Sequence, residues 1–279
     1  MPLWKPHAGD RLVESNISAA GSATPGTAVT TGGAAGTKGT AVELIAATAF
    51  DCYRVHVMAS GYGANAAASE GCLDILIGTA TEEVLIADLL MGYCGTLAGQ
   101  DRGPKVWTFP LHIPAGQRIA ARAAGARTST AVNVVVVLEG GDGLATEWWG
   151  TKVTTYGVSA APNGTDITAG ASGAQGSWTE ITSGTSEAGR CIIPSLQANG
   201  GTTSIAAREV HVGIGLGSAT EELIGVPWIF TTDNVETMAG PHLWVPVIKD
   251  IPASTRLTMR VSNSGTIAHA FEGALHVVS

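Results

Sequence analysis

Two copies of a paired acidic motif are the first residues in this chain that could do chemistry. Thr-Glu-Glu stands at 81–83 and again at 220–222, each time after a Gly-Thr-Ala or Gly-Ser-Ala segment. Two carboxylates that converge can bind a metal ion or act as an acid and base pair. Neighbouring residues of a strand point to opposite faces, so these adjacent carboxylates do not converge. The motif therefore favours a solvated hairpin end over a metal or acid–base site.

Four arginines form a second repeated pattern. Arg118 and Arg122 are spaced to share one face of a strand, and so are Arg256 and Arg260. Guanidinium groups in such a ladder pair with carboxylates of a neighbouring strand or of a neighbouring subunit. The pattern predicts inter-strand or inter-subunit ion pairs, with the binding of an acidic sugar as the alternative.

Motifs for catalysis are missing from the sequence. The seven histidines are scattered without the spacing of a metal-ligand pair, and no Gly-x-Ser-x-Gly segment occurs. We expect neither an enzyme nor a bound cofactor or metal ion. A glycan-degrading enzyme stays as an alternative, since it needs two carboxylates that converge in space.

The cysteines allow two interpretations. Cys52, Cys72, Cys94 and Cys191 form no Cys-x-x-Cys pair. They are either buried reduced thiols or disulfides that staple a particle after it leaves the cell. Only Cys191 lies in the second half, so a bridge from it would join the two halves or two chains.

Tryptophans outside the predicted cores are candidates for attachment. Trp4 lies near the N-terminus, and Trp148 and Trp149 lie near the middle of the chain. Exposed aromatic residues in such segments commonly dock on another surface, so we predict that these three attach the chain to a particle. The tryptophans interpreted as core packing residues, with a sugar platform as the alternative, are Trp107, Trp178, Trp228 and Trp244.

Composition restricts the class of partner. Only 14% of the 279 residues are charged and the net charge is −8, whereas soluble domains typically carry about 25% charged residues. The negative charge argues against nucleic acid or an anionic membrane as the partner. Low surface charge indicates a surface that neighbouring subunits cover. The first residues show no secretory signal, so we expect synthesis in a host cytoplasm.

An internal repeat organises the chain. Residues 78–86 match 217–225, residues 113–119 match 251–257, and Gly-Thr-Lys-Gly at 36–39 matches Gly-Ala-Gln-Gly at 173–176. Several matches in the same order are the signature of duplication. The predicted parts are an N-terminal attachment arm at 1–16, one β-sandwich at 17–142, a connector at 143–157 and a second β-sandwich at 158–279.

The periodicity within each copy is that of strands. Val210, Val212, Ile214 and Leu216 alternate with other residues, as in a half-buried strand, and the run at 132–138 is largely β-branched. Turn-forming residues recur between such runs. We predict an all-β protein of two tandem, internally duplicated antiparallel β-sandwich domains that are jelly-roll-like.

The repeated segments also carry a family resemblance. Residues 73–86 with 107–122, and 210–224 with 243–261, combine a strand ending in Gly-x-Ala-Thr-Glu-Glu, an apolar run, Ile-Pro-Ala and an Arg-bearing strand. This combination resembles accessory structural proteins of tailed-bacteriophage virions, of the collar or neck, head-fibre or capsid-decoration type. The resemblance implies a non-enzymatic virion protein that decorates or reinforces the neck, collar or capsid.

The same resemblance implies the partners. They are further copies of the chain, in a homotrimer or another symmetric oligomer, and other virion proteins. A carbohydrate- or receptor-binding virion protein, as in a tail or head fibre, is the alternative function, with a glycan as its partner.

Overall fold

The described residues form an all-β protein, as the sequence periodicity predicts. The computed structural model describes residues 11–17, 26–60, 70–78, 82–92, 104–145, 147–199, 209–218, 221–231, 242–244, 246–265 and 270–279. A single turn of helix, α1 (Asp142–Ala145), interrupts the strands of these ranges. No helix in these ranges has the length and apolar character needed to cross a membrane.

The first half folds into two antiparallel sheets. Its strands are β1 (Leu12–Ser15), β2 (Thr27–Thr30), β3 (Val42–Ile45), β4 (Cys52–Ser60), β5 (Gly71–Ile77), β6 (Glu83–Leu90), β7 (Lys105–Phe109), β8 (Ile119–Gly125) and β9 (Ala131–Gly140). In sheet A, β9 pairs with β1 and β2 on one side and with β4 on the other, and β4 pairs with β7. Sheet B has the order β3-β8-β5-β6. Together these orders are those of a jelly roll, in which two Greek keys face each other.

The second half repeats these orders strand for strand. Its strands are β10 (Val153–Tyr156), β11 (Thr165–Thr168), β12 (Thr179–Thr182), β13 (Gly189–Ala198), β14 (Glu209–Leu216), β15 (Glu222–Thr231), β16 (His242–Trp244), β17 (Val247–Ile251), β18 (Leu257–Asn263) and β19 (Ala270–Val278). In sheet C, β19 pairs with β10, β11 and β13, and β13 pairs with β17. Sheet D has the order β12-β18-β14-β15.

One strand crosses from the second half to the first. β16 pairs in parallel with β7, with Leu243 opposite Val106, and so extends sheet A. Buried apolar side chains from all four sheets then form one contiguous core cluster. The two halves are therefore joined by a shared sheet as well as by packing.

Repeated glycines hold equivalent loops after β2 and β11. Gly36 and Gly173 have φ of +74° and +78°, which favours glycine. A Cβ at Gly39 or Gly176 would lie 2.0 or 2.3 Å from a carbonyl oxygen of the strand alongside. Close backbone approach thus explains the glycines that the two Gly-x-x-Gly segments share.

The predicted boundaries between arm, sandwiches and connector remain predictions, and so does the duplication. β1 lies inside the segment predicted as an arm, and β10 lies inside the predicted connector. Each pairs with the last strand of its half, β9 or β19. The matching strand orders are the structural counterpart of the sequence repeat.

Candidate functional site

The repeated arginine at the start of β8 is held by two carboxylates. Arg118 lies 2.7 Å from Glu43 of β3 and also pairs with Glu82, just before β6. The strand pairings β3–β8 and β5–β6 bring these three residues together although they are distant in sequence. Hydrogen bonds from Arg118 to Glu43 and Glu82 raise the pKa of its guanidinium above the usual value.

The second half contains the same triplet. Arg256 lies 2.6 Å from Glu180 of β12 and pairs with Glu221, just before β15. Thr258 donates a hydrogen bond of 2.8 Å to Glu221. In both copies the first Glu of the Thr-Glu-Glu motif therefore binds an arginine of its own half, which fixes a hairpin.

The second arginine of each pair has a different environment in each half. Arg122 pairs with Asp74 on β5 at 2.9 Å. The residue opposite Arg260 on β14 is Gly213, which has no carboxylate. The Arg260 guanidinium instead lies 4.2 Å from the ring centre of Trp178, a cation–π contact. Among the described residues, Arg122 thus has a carboxylate partner and Arg260 has an aromatic one. Pairing of Arg260 with another subunit stays a prediction.

The described cysteines are free thiols. Cys52, Cys72 and Cys191 are buried and unbridged, and burial raises the pKa of each thiol to about 12. Cys94 lies outside the described residues. A disulfide crosslink in a mature particle stays a prediction.

An aromatic cluster lies where the connector meets the first half. Tyr53 stacks on His112 with ring centres 5.2 Å apart, and Trp149 lies 4.8 Å from His112 and 5.5 Å from Tyr53. Backbone hydrogen bonds fix the connector there, since the His112 N–H donates to Gly150 at 2.8 Å and the Gly150 N–H donates to Pro110 at 2.9 Å. All three rings are half-buried, so part of each faces solvent.

The other predicted attachment tryptophans are placed differently. Trp148 lies under Arg190, with the guanidinium 5.4 Å from its ring centre. Arg190 also pairs with Asp250 at 2.9 Å. Trp4 lies outside the described residues.

Ion pairs surround a nearly buried glutamate beside this cluster. Glu139 of β9 pairs with Arg54 at 3.2 Å, with His56 at 3.2 Å and with Arg11. Arg54 continues to Glu147 at 3.1 Å, next to the aromatic cluster. Burial disfavours the charged Glu139 carboxylate, but the hydrogen bond from Arg11 and the charges of Arg11 and Arg54 outweigh it and hold its pKa below the usual range. His56 is not one of these cations, because burial lowers the pKa of its ring. The charges tie β1 and the connector to sheet A.

The outward face of sheet A also carries an apolar row. Val135, Met58, Val106 and Leu243 lie opposite one another across β9, β4, β7 and β16. Leu243 is 55% exposed. An antiparallel sheet face that meets water usually shows polar residues. This row is therefore a candidate for contact with another surface.

The corresponding face of sheet C is buried against the first half. Ser195 accepts hydrogen bonds from the Leu90 N–H at 2.8 Å and from the Trp107 indole at 3.2 Å. Gln197 accepts from the N–H groups of Gly71 at 3.1 Å and Gly92 at 2.9 Å. Two polar side chains thereby satisfy four donors of the first half.

A buried lysine completes this internal interface. Lys105 is 1% exposed, and its ammonium donates to the carbonyls of Leu90 at 3.2 Å, Gly92 at 2.6 Å and Leu196 at 2.8 Å. Three acceptors match the three donors of the ammonium group. The ammonium group of Lys105 is therefore fully hydrogen-bonded at this interface.

Two further ionisable groups are buried on the same face of sheet C. Glu272 accepts from Gln197 at 2.7 Å and from the Gly164 N–H at 3.2 Å, and burial raises its pKa to about 7. His276 is fully buried beside Thr155, with 2.9 Å between Nδ1 and the hydroxyl oxygen. Burial lowers the His276 pKa to about 3, so the ring is neutral.

Sequence reasoning missed these interface residues, although a polar residue inside an apolar strand was an available signal. The prediction that Trp107 and Trp244 are core packing residues is confirmed, because both side chains are buried. The alternative sugar platform is wrong for these two residues, since neither ring face is open to a ligand. The Trp228 side chain lies outside the described residues.

Each half also carries a cleft at the same place, between its second and third strands. The first cleft has a volume of about 430 Å³, and its lining residues include Thr30, Thr31 and Thr40. The second has about 490 Å³ and includes Asp166, Ser177 and Thr179. Among the described residues, no group of three or more His, Cys, Asp or Glu side chains is arranged to hold a metal ion.

Comparisons with known proteins identify no family. No protein-family model matches the chain, and no curated protein matches it. The structure is similar to PNGF-II over 97% of this chain and 65% of that one, with 10% identity and a TM-score of 0.35. A structure from Sulfolobus Turreted Icosahedral Virus matches over 96% and 90%, with 11% identity and a TM-score of 0.35. PNGase F, a glycosylasparaginase from Flavobacterium meningosepticum, matches over 97% and 96%, with 10% identity and a TM-score of 0.29. Scores of this size carry no argument about function.

Proposed function

We propose that this chain is a non-enzymatic structural component of a bacteriophage virion, which decorates or reinforces the neck, collar or capsid as a homo-oligomer. The observation that carries the proposal is the exposed apolar edge at β1 together with the half-buried aromatic cluster of Tyr53, His112 and Trp149. These features form an adhesive region at the predicted attachment end of a chain that is otherwise poor in charge.

The edge strand β1 supports an attachment role. It pairs on one side with β9, and no described strand pairs with its other edge. Leu12, Val13 and Ile17 are all exposed large apolar residues at this edge. A free strand edge with apolar side chains is a template for another protein chain.

The internal interface supports a structural role. The buried hydrogen bonds of Lys105, Ser195 and Gln197 join the halves into one unit, and β16 adds a shared sheet. Both devices favour a rigid building block.

Two measurements test the proposal: the position of the chain on the virion, and the effect of an attachment-residue substitution on binding to the virion. Antibody labelling of purified virions by electron microscopy should place the chain at the neck, collar or capsid surface. Replacing Trp149 with alanine should reduce rebinding of purified protein to virions stripped of it. Val84→Ala removes an exposed apolar side chain from β6 of the other sheet and serves as the matched control. A chain absent from virions, or equal rebinding by both variants, would contradict the proposal.

Carbohydrate binding is the second candidate function. The twin clefts favour it, because hydroxyl, amide and carboxylate groups such as those of Thr179, Gln175 and Asp166 can hydrogen-bond sugar hydroxyls. A glycan array should then show binding that falls on Asp166→Ala and persists on Asp250→Ala, an exposed aspartate outside the clefts. An array without binding would remove this candidate.

A further inference from the structure

The same sheet face is covered in the second half and open in the first. The strands β1, β9 and β4 of sheet A occupy the places of β10, β19 and β13 in sheet C. Ser15 lies opposite Val137 as Thr155 lies opposite His276. The two faces can therefore be compared position by position.

Burial differs sharply between the two faces. Ser195 and His276 of sheet C are fully buried. Their counterparts Met58 and Val137 in sheet A are only half-buried, and Ser15 is exposed. Sheet A thus leaves this face partly open to solvent, from Met58 to Leu243 of the apolar row, whereas Val135 of the same row is buried. Sheet C buries the equivalent face inside the molecule.

The element that covers sheet C is the open side of the first sandwich, formed by β6 and β7. Thr155 donates a hydrogen bond of 2.8 Å to the carbonyl of Ala87 on the free edge of β6. Phe109 of β7 meets His276 edge-on, with ring centres 6.0 Å apart. Edge backbone and one ring of the first half therefore dock on the sheet face of the second half.

The second half has part of the same open side, formed by β15 and β17. The segment just before β17, β16, does not contribute to it, because β16 pairs with β7 of the first half. β15 pairs with β14 alone among the described strands, so it leaves a free edge like that of β6. Val247 of β17 lies opposite Ile192 of β13, as Phe109 of β7 lies opposite Val55 of β4. Val247 and Phe109 therefore occupy equivalent positions in the two halves. Among the described residues, each chain thus has one sheet face open to solvent in part and one strand edge, that of β15, without a paired strand.

We infer that a second copy of this chain fills the open face: the β15–β17 side of one copy docks on the outward face of sheet A in the next. This contact repeats between copies the docking of the β6 edge on sheet C, with the β15 edge in the place of β6. A head-to-tail contact of this kind closes into a ring or grows into a filament, depending on the rotation between units. The inference deepens the oligomeric part of the proposed function and does not depend on the particle.

The experiment begins with the mass of the purified full-length chain by light scattering, which should be a multiple of the monomer. Ser15→Arg places a long cation on the open face and should reduce the mass to that of a monomer. Thr30→Arg is the matched control on the same sheet edge. Its counterpart Thr168 stays exposed in the second half, so Thr30→Arg should leave the oligomer unchanged.

A second variant tests the head-to-tail arrangement. Val247→Glu should block the docking edge and also give monomers, with circular dichroism to check folding. Mixing it with Ser15→Arg should give a dimer of one copy of each, because each variant retains the partner site that the other needs. A contact between identical faces would not be rescued by mixing.

Several outcomes would overturn the inference. They are a monomeric wild-type chain, an oligomer that Ser15→Arg leaves intact, or folded variants that do not combine on mixing. If Val247→Glu does not fold, the comparison of Ser15→Arg with Thr30→Arg still tests whether the open face of sheet A forms the contact between copies. A chain that assembles but is absent from virions would contradict the proposed virion role alone. A virion-bound chain that stays monomeric in solution would contradict this inference and the homo-oligomer, and would leave the virion role standing.

Discussion

Glu272 should make the stability of this protein fall as pH rises. Its carboxyl is 2% exposed and lies at the interface between the halves. Burial raises its pKa from 4.5 to about 7, and the nearby charges of Glu70 and Asp166 act in the same direction. Below pH 4.5 the group is protonated in both folded and unfolded chains, so it contributes no pH dependence.

Between pH 4.5 and 7 the unfolded chain loses this proton while the folded chain keeps it. The free energy of unfolding therefore decreases through this window and is level, for this group, above pH 7. At about 1.4 kcal/mol per pKa unit, the full effect is about 3 kcal/mol. Glu272→Gln removes the charge and keeps an acceptor for Gln197, so it should be more stable than wild type at pH 8 by up to about 3 kcal/mol.

Urea unfolding of wild type and Glu272→Gln at pH 4.5 and pH 8 measures this difference. The gain should be present at pH 8 and nearly vanish at pH 4.5. Glu83→Gln makes the same chemical change at an exposed position, and its effect should not vary between the two pH values. An equal effect of Glu272→Gln at both pH values would refute the reasoning.

Three further predictions concern the buried lysine, two glycines and the buried cysteines. Lys105→Met leaves three carbonyls without their donor and should lower the free energy of unfolding by at least about 3 kcal/mol; an unchanged urea midpoint would contradict it. Gly39→Ala should cost about 3 kcal/mol by steric overlap, and Gly116→Ala, where a Cβ meets open space but φ is +81°, about 1 kcal/mol. Equal thermal shifts would exclude the overlap. In a Cys94→Ser variant, Ellman's reagent should label the three buried cysteines only after guanidinium unfolding, and rapid labelling of folded protein would show them to be accessible.

Sequence periodicity was sufficient for the fold class. The alternation from Val210 to Leu216 corresponds to β14, because successive side chains of a strand face opposite sides. The same reasoning separated Glu82 from Glu83: one binds Arg118, and the other is exposed. These results depend on local geometry, which neighbouring residues determine.

Contacts between residues that are distant in sequence could not be predicted from the periodicity of single strands. Arg122 and Arg260 have the same spacing in sequence, yet one meets Asp74 and the other meets Trp178. The difference arises from the residue opposite each arginine on the adjacent strand, which is Asp74 in one half and Gly213 in the other. Strand register decides that opposition, and the spacing of the arginines does not contain it.

By itself the sequence determined an all-β chain with strand-forming alternation and repeated glycine, glutamate and arginine positions, because each depends on contacts within a strand or a turn. Only the tertiary structure decided which sheet face is covered. The polar Ser195, Gln197 and Glu272 are buried because the first half supplies their partners, whereas the apolar Met58 and Val106 remain partly open. The physical reason is that side-chain alternation follows from the backbone of one strand, but burial of the outward face depends on how whole sheets pack.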